Sequence, residues 1–299
     1  HTYLAMNNDK QAASLLEQAL QLRPDKGEWW LELGDCYQRQ AQPLQARDAY
    51  RHAAALTPME PACLLGLGDA ALALGEWEDA EAHYRRALTL KQDDAPAYRR
   101  LAQLHEQRAE WEKAIAAYQQ ALRLEPEDAE THYRLGLACQ SNTQYPQALE
   151  YLEQAIALAP QLLEAYTALG ATYEALERDD EALQVYEQAL VIAPNRVENH
   201  LQVGRVCRRL GRLDKAIAHF RRGLELDPRR AQAYHELGQT CELQGKYHEA
   251  LDAYLEAARL EPAAAEYYYS AGLIYKLLKQ YGQSAAMLRE AIKLRPDDA

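Results

Sequence analysis

Apolar and polar positions along the chain recur with the periods of a helix pair. Trp30, Leu33, Gly34 and Tyr37 step by 3, 1 and 3, which places them on one face of a helix A. Ala46, Tyr50, Ala53 and Leu56 step by 4, 3 and 3, which places them on one face of a helix B. A short turn near Gln40–Gln42 separates the two, and Gly75, Gly211 and Gly245 mark the same turn further along. Pro58 stops helix B, and a polar pair leads into the next helix A.

The pattern returns every 34 residues. Pro24, Pro58, Pro126, Pro160, Pro194, Pro228, Pro262 and Pro296 fall on one lattice that only Gln92 breaks. Gly34, Gly68, Gly136, Gly170, Gly204, Gly238 and Gly272 share a second phase, with Ala102 the exception. Alanines hold the phases of Ala46 and Ala53, departing at Ser284 and Gly223. The four remaining prolines, Pro43, Pro61, Pro96 and Pro146, lie where helices begin, where the first-turn N–H has no partner to lose. The expected organisation is a half repeat at 1–26 and full repeats at 27–60, 61–94, 95–128, 129–162, 163–196, 197–230, 231–264 and 265–298, forming a single array. Glycine and alanine let the helices approach, and bulky residues at the Trp30 and Tyr50 phases fill the space beside them. One helix pair cannot bury such a face alone, so the repeats must stack.

The run Trp30-x2-Leu33-Gly34-x2-Tyr37, followed by Ala46, Tyr50, Ala53 and Pro58, resembles the tetratricopeptide repeat. The resemblance spans the whole chain. It implies an all-α, right-handed superhelical solenoid of about 8.5 repeats, whose helices A line a concave groove for extended peptides or partner proteins. Two groove codes of the family are missing. Heat-shock co-chaperones set Lys and Asn one turn apart on one helix A, Asn on the next, and Lys with Arg on the third; Arg99 and Gln103 come nearest to the first pair. The asparagine ladder of O-GlcNAc transferases would fall at the phase of Glu32, where no Asn stands.

Composition narrows the picture. Ala, Leu and Glu dominate, and one Phe stands against 20 Tyr, which favours helix over sheet. A net charge of −12 argues against nucleic acid as a partner. No apolar run reaches the length of a membrane span. Five widely spaced cysteines without a CxxC suggest reduced thiols and a cytoplasmic chain. His1 enters in mid-repeat at the end of a helix A, and Pro296-Asp297-Asp298-Ala299 resembles a linker into another repeat, so a fragment of a longer protein is expected.

Catalytic patterns do not close. Gly66-Leu67-Gly68-Asp69-Ala70-Ala71 matches a dinucleotide fingerprint but sits inside a helix A, with no strand before it. His105-Glu106, His235-Glu236 and His248-Glu249 each open a zinc-protease motif that lacks its second histidine. His132 and His200 share the core phase of Trp30, and Cys139, Cys207 and Cys241 that of Tyr37, so both sets are expected to pack. No metal site, cofactor or catalytic residue is assigned.

Function is then expected on the face of helix A opposite its core stripe, set by the phases of Glu28, Leu31, Asp35 and Gln38. Following these phases, and the residue beside them, nominates Arg99, Arg100, Gln103, Tyr133, Arg134, Leu201, Arg205, Arg208, Arg209, His235 and Tyr269 as groove residues. Repeat 197–230 carries nine Lys/Arg against four Asp/Glu, a local charge of +5 that leaves −17 for the rest. Either this is variation of a solvated face, or Arg205, Arg208 and Arg209 bind an acidic segment, for which the guanidinium fork is suited. The leading expectation is a non-catalytic scaffold for protein or peptide. The alternatives are a recruiting arm of a larger enzyme, such as a transferase or protease-type effector, and a structural oligomeriser. Met287, Leu288 and Ile292 on the last helix B point to self-association through an uncapped end.

Overall fold

Alternating 13- and 14-residue helices follow the lattice closely. A computed structural model of the chain describes residues 9–295, and among them it contains seventeen α-helices and no strand. The expected helix end near His1 and the linker at 296–299 lie outside the described residues. The chain falls into two compact units, His1–Leu158 and Ala159–Ala299. The first holds α1 (Asp9–Leu22), α2 (Gly27–Arg39), α3 (Pro43–Leu56), α4 (Pro61–Ala73), α5 (Trp77–Leu90), α6 (Ala95–Gln107), α7 (Trp111–Leu124), α8 (Ala129–Ser141) and α9 (Tyr145–Leu158). The second holds α10 (Leu163–Ala175), α11 (Asp179–Ile192), α12 (Val197–Arg209), α13 (Leu213–Leu226), α14 (Ala231–Leu243), α15 (Tyr247–Leu260), α16 (Ala265–Leu277) and α17 (Tyr281–Leu294). Within each unit every helix packs on the next. Each even-numbered helix is a helix A and opens on a predicted repeat start. The four off-lattice prolines occupy the first or second position of a helix.

Each A-to-B turn closes in the same way. The third residue of the turn donates its N–H back to the residue at the Tyr37 phase, as Gln42 does to Tyr37 (2.9 Å), Arg178 to Tyr173 (2.9 Å) and Gln280 to Tyr275 (2.8 Å). The middle residue must then be left-handed. Gly75, Gly211 and Gly245 provide this freely, but Ala41, Ala109, Thr143, Glu177 and Lys279 adopt φ of 54–60° with a side chain in place.

The lattice glycines are seats for aromatic rings from helix B. A Cβ added at Gly34 would lie 2.4 Å from the ring of Tyr50, and one at Gly68 2.3 Å from that of Tyr84. Gly170 and Gly238 seat Tyr186 and Tyr254 in the same manner, and Gly204 seats Phe220. These rings are fully or almost fully buried, each contributing on the order of 1.5–3 kcal/mol. Leu56, expected on the same helix B face, is instead exposed because it lies past the last seat. The polar tips at the Trp30 phase find a second lattice partner. Trp30 Nε1 donates to the carbonyl of Pro24 (3.0 Å) and the Tyr166 hydroxyl to that of Pro160 (3.2 Å). Nε2 of His132 and His200 lies 2.9 and 3.0 Å from the carbonyls of Pro126 and Pro194. The lattice proline thus ends one helix and its carbonyl anchors the next. All five cysteines are buried, and burial pushes the Cys139 thiol up to about 11.

Candidate functional site

The exposed face of helix A is governed by two registers of hydrogen bonding. In the first, the buried tyrosine of helix B projects its hydroxyl to a carboxylate on helix A of the same repeat. Tyr50 donates to Asp35 (2.8 Å) and Tyr84 to Asp69 (2.8 Å), each acid one residue past the lattice glycine. Tyr118, Tyr186 and Tyr254 donate instead to Glu106 (2.7 Å), Glu174 (2.5 Å) and Glu242 (2.8 Å), one turn later, where the longer side chain reaches back. Burial beside these acids raises the tyrosine pKa values well above the usual phenol range. The three repeats whose seat holds Leu152, Phe220 or Leu288 have no acid at either position: they carry Leu137 and Gln140, Arg205 and Arg208, and Leu273 and Lys276. A buried hydroxyl requires an acceptor, and a hydrocarbon ring does not.

The second register crosses between neighbouring repeats, 31 residues apart. Arg100 Nε donates to both carboxylate oxygens of Asp69 (2.9 and 2.8 Å). Arg205 Nε donates to both oxygens of Glu236 (2.8 Å each), which is the same pair of lattice positions with the charges exchanged. Arg208 Nη1 donates to Gln239 (2.8 Å), and its guanidinium lies 6.0 Å from the centre of the Phe220 ring.

These registers account for the arginines singled out from the sequence. Arg99 pairs with Asp128 (3.0 Å) and Glu125. Arg134 pairs with Glu130 (2.8 Å) and approaches Glu106 (3.8 Å), and Arg209 pairs with Asp179 and Glu174 (2.7 Å each). The +5 of repeat 197–230 is therefore met largely by acids of its neighbours rather than presented as a free cationic patch. Leu201 corrects the expectation of a groove residue: it is 7 % exposed and lies against Gly223, where glycine replaces the lattice alanine. His235 faces the next repeat, with Nε2 3.2 Å from Ser270 Oγ and its ring 5.0 Å from that of Tyr267. Burial lowers its pKa. Tyr133 is half-buried on the same face. Tyr269 is 54 % exposed and lines a mainly apolar recess of about 490 Å³ with Leu288, Ala291, Ile292 and Arg295.

Three of the nominated residues converge. Arg99, Arg100 and Gln103 line a groove of about 750 Å³ across α2, α4 and α6, together with Gln38, Asp69, Leu72, Ala73, Pro96, Gln107, Asp128 and Glu130. Its two arginines are held by Asp69 and Asp128, whereas the amides of Gln103 and Gln107 have no partner among the described residues. Gln38 keeps its Oε1 buried and unpaired. Asp35 stands nearby with only the Tyr50 hydroxyl on its carboxylate, and burial raises its pKa. No three His, Cys, Asp or Glu side chains among the described residues are placed to hold a metal ion, and no helix among them is long and apolar enough to cross a membrane.

Residues 1–200 match the family model of the cilia and flagella-associated protein 70 C-terminal domain, and residues 196–261 and 265–298 match tetratricopeptide-repeat models. The chain belongs to the tetratricopeptide-repeat family. As such, it is an all-α solenoid built for protein interaction. Among solved tetratricopeptide-repeat structures it is similar to YrrB, described as a TPR protein with an unusual peptide-binding site. That match has 25 % identity and a TM-score of 0.54, and covers 62 % of this chain and 95 % of YrrB. The C-terminal part of a tetratricopeptide-repeat protein from Cytophaga hutchinsonii aligns with a TM-score of 0.67 at 18 % identity, over 79 % of this chain and 97 % of that one. PilF of Pseudomonas aeruginosa aligns with a TM-score of 0.55 at 21 % identity, over 74 % and 96 %. The last two establish the fold alone. No curated protein matches the chain.

Proposed function

We propose that this tetratricopeptide-repeat chain is a non-catalytic scaffold that holds an extended polypeptide segment in the groove across α2, α4 and α6. The observation that carries this reading is the pair of unpartnered amides, Gln103 and Gln107, in a groove whose arginines are already neutralised. A side-chain amide offers one donor group and one acceptor, the complement of a peptide unit in the ligand main chain. An acidic ligand would gain less at Arg99 or Arg100, because Asp128 and Asp69 already offset the charge of each guanidinium. The peptide-binding description of YrrB, the most identical of the three neighbours, supports the same class of partner.

The test is affinity purification of partners with the chain, followed by titration of the captured segment. Gln103→Ala with Gln107→Ala should weaken binding about tenfold, at about 0.5–1.5 kcal/mol for each lost hydrogen bond. Binding that ignores both amides but collapses on Arg99→Ala and falls steeply with salt would instead select an acidic ligand.

A second surface is the apolar recess around Tyr269 and Ile292. We propose it as the seat of contacts between repeat ends. Sedimentation should show association of the chain that Ile292→Lys abolishes; a monomer at every concentration rejects it.

A further inference from the structure

Repeats 231–264 and 265–298 share a feature that the other repeats lack. Helix α14 ends on Leu243 and α15 opens on Tyr247; one lattice period later α16 ends on Leu277 and α17 opens on Tyr281. All four are exposed, at 65, 38, 53 and 65 %. At these two lattice positions other repeats carry pairs such as Arg39 with Pro43, Gln107 with Trp111, and Ala175 with Asp179, none of which joins two large exposed apolar side chains. Each Leu–Tyr pair flanks a three-residue turn, so it forms one rung at the edge made by the A-to-B turns. The two rungs belong to adjacent repeats of one compact unit. The second rung lies at the opposite end of α17 from the recess around Ile292, about 16 Å away along the helix.

The rim of this ladder is cationic. Lys276 stands in the last turn of α16 and Lys279 in the turn itself, and neither has an acid within ion-pair distance among the described residues. Lys246 reaches Asp214 only at 4.0 Å. Lys276 and Lys279 therefore keep their charge open to a partner, in contrast to the paired groove arginines.

We propose that this turn edge docks an amphipathic, acidic helix of a partner protein. The apolar rungs fix the first property. Packed neighbouring helices lie about 8–10 Å apart. A partner helix advances about 10.5 Å in seven residues, so apolar side chains one heptad apart meet both rungs. The lysine rim fixes the second property, because acidic residues flanking the apolar stripe would face Lys276 and Lys279.

The probe is a labelled 21-residue helical peptide with leucines at i, i+4, i+7 and i+11 and glutamates beside them. Its companions are a lysine-for-glutamate version and a version of the same composition with the leucines scrambled. Fluorescence anisotropy should show the acidic amphipathic peptide binding at least tenfold more tightly than either companion. Leu277→Glu with Tyr281→Glu should remove that binding by at least tenfold while circular dichroism shows the helices intact. Lys276→Glu with Lys279→Glu should reverse the preference toward the lysine peptide, a result that misfolding could not produce. Equal binding of the scrambled peptide, undiminished binding by the Leu277→Glu, Tyr281→Glu variant, or no binding of any peptide overturns the proposal. So does self-association through the four side chains, which would make a second copy the occupant.

Discussion

Repeats 197–230 and 231–264 are adjacent, have helices of equal length and close their turns on the same left-handed glycine, yet they carry opposite charges on the exposed face of helix A. In the later repeat the helix B ring is Tyr254, and its hydroxyl demands Glu242. In the earlier one the ring is Phe220, no acceptor is needed, and Arg208 lies over the ring from the position Glu242 holds one period on. The surface charge of a repeat is thus partly dictated from inside, by whether its core ring carries a hydroxyl. A basic repeat in an acidic array is what the interior permits where phenylalanine replaces tyrosine.

The comparison breaks first at the ring seats. Gly238→Ala would drive a methyl group 2.6 Å from the Tyr254 ring and should cost about 1–3 kcal/mol in urea denaturation. Gly204→Ala, at 2.8 Å from the Phe220 ring, should cost less. Equal effects would mean that the two seats do not differ. Next comes the hydroxyl. Glu242→Leu strands the Tyr254 O–H and should cost about 1–3 kcal/mol. The double variant Tyr254→Phe, Glu242→Arg copies the neighbouring repeat and should recover to within about 1 kcal/mol of the parent. Additive losses in that cycle would refute the coupling.

The third prediction concerns acid. Repeat 197–230 holds a histidine pair, His200 buried and His219 half-buried, with His200 Nδ1 3.2 Å from His219 Nδ1. The Pro194 carbonyl can only accept, so the neutral His200 ring carries its hydrogen on Nε2 and offers Nδ1 as an acceptor to His219. Burial, then the nearby His200, lowers the His219 pKa, with Glu187 opposing and Lys215 assisting. A histidine lowered in the folded state binds fewer protons than when unfolded, so stability is full above the unfolded value of about 6.5 and falls as pH drops below it. His219→Ala, the residue found one period later at Ala253, should flatten unfolding curves between about pH 7 and 5. An unchanged slope would remove the histidine pair from the comparison. The smallest effect lies in the turns. Gly211 and Gly245 serve these two repeats, while the preceding one forces Glu177 to φ 57°. Glu177→Gly should gain up to about 1 kcal/mol, and a loss would show that the side chain earns its strained position.

Much of this fold was legible in the 34-residue lattice, because glycine, alanine and proline mark close approach and helix ends directly. The helices A begin where the repeats were expected to begin, and His132 and His200 are packed and hydrogen-bonded as their phase implied. The candidate site was less legible. Periodicity shows which face a residue occupies but not what stands across from it, so Arg100 and Arg205 looked free while Asp69 and Glu236 lay 31 positions away. Leu201 misled because its burial depends on the missing methyl at Gly223, a compensation between two helices. One further signal lies in the sequence: every full repeat with a tyrosine at the seat carries an acid at one of two helix A positions, and every full repeat without one carries none.

The exchanged charges of Asp69–Arg100 and Arg205–Glu236 also bear on how such a gene can be edited. Identical repeats can be shuffled, duplicated or lost by unequal crossing-over, since any unit fits any neighbour. Here a recombinant that joined residues 95–128 directly after residues 197–230 would set Arg100 against Arg205, cation facing cation across the seam. The reciprocal join would place Glu236 behind Asp69. The two seams act as a keyed thread that resists those two joins, whereas loss of residues 95–128 would set Arg134 against Asp69 and keep cation facing acid.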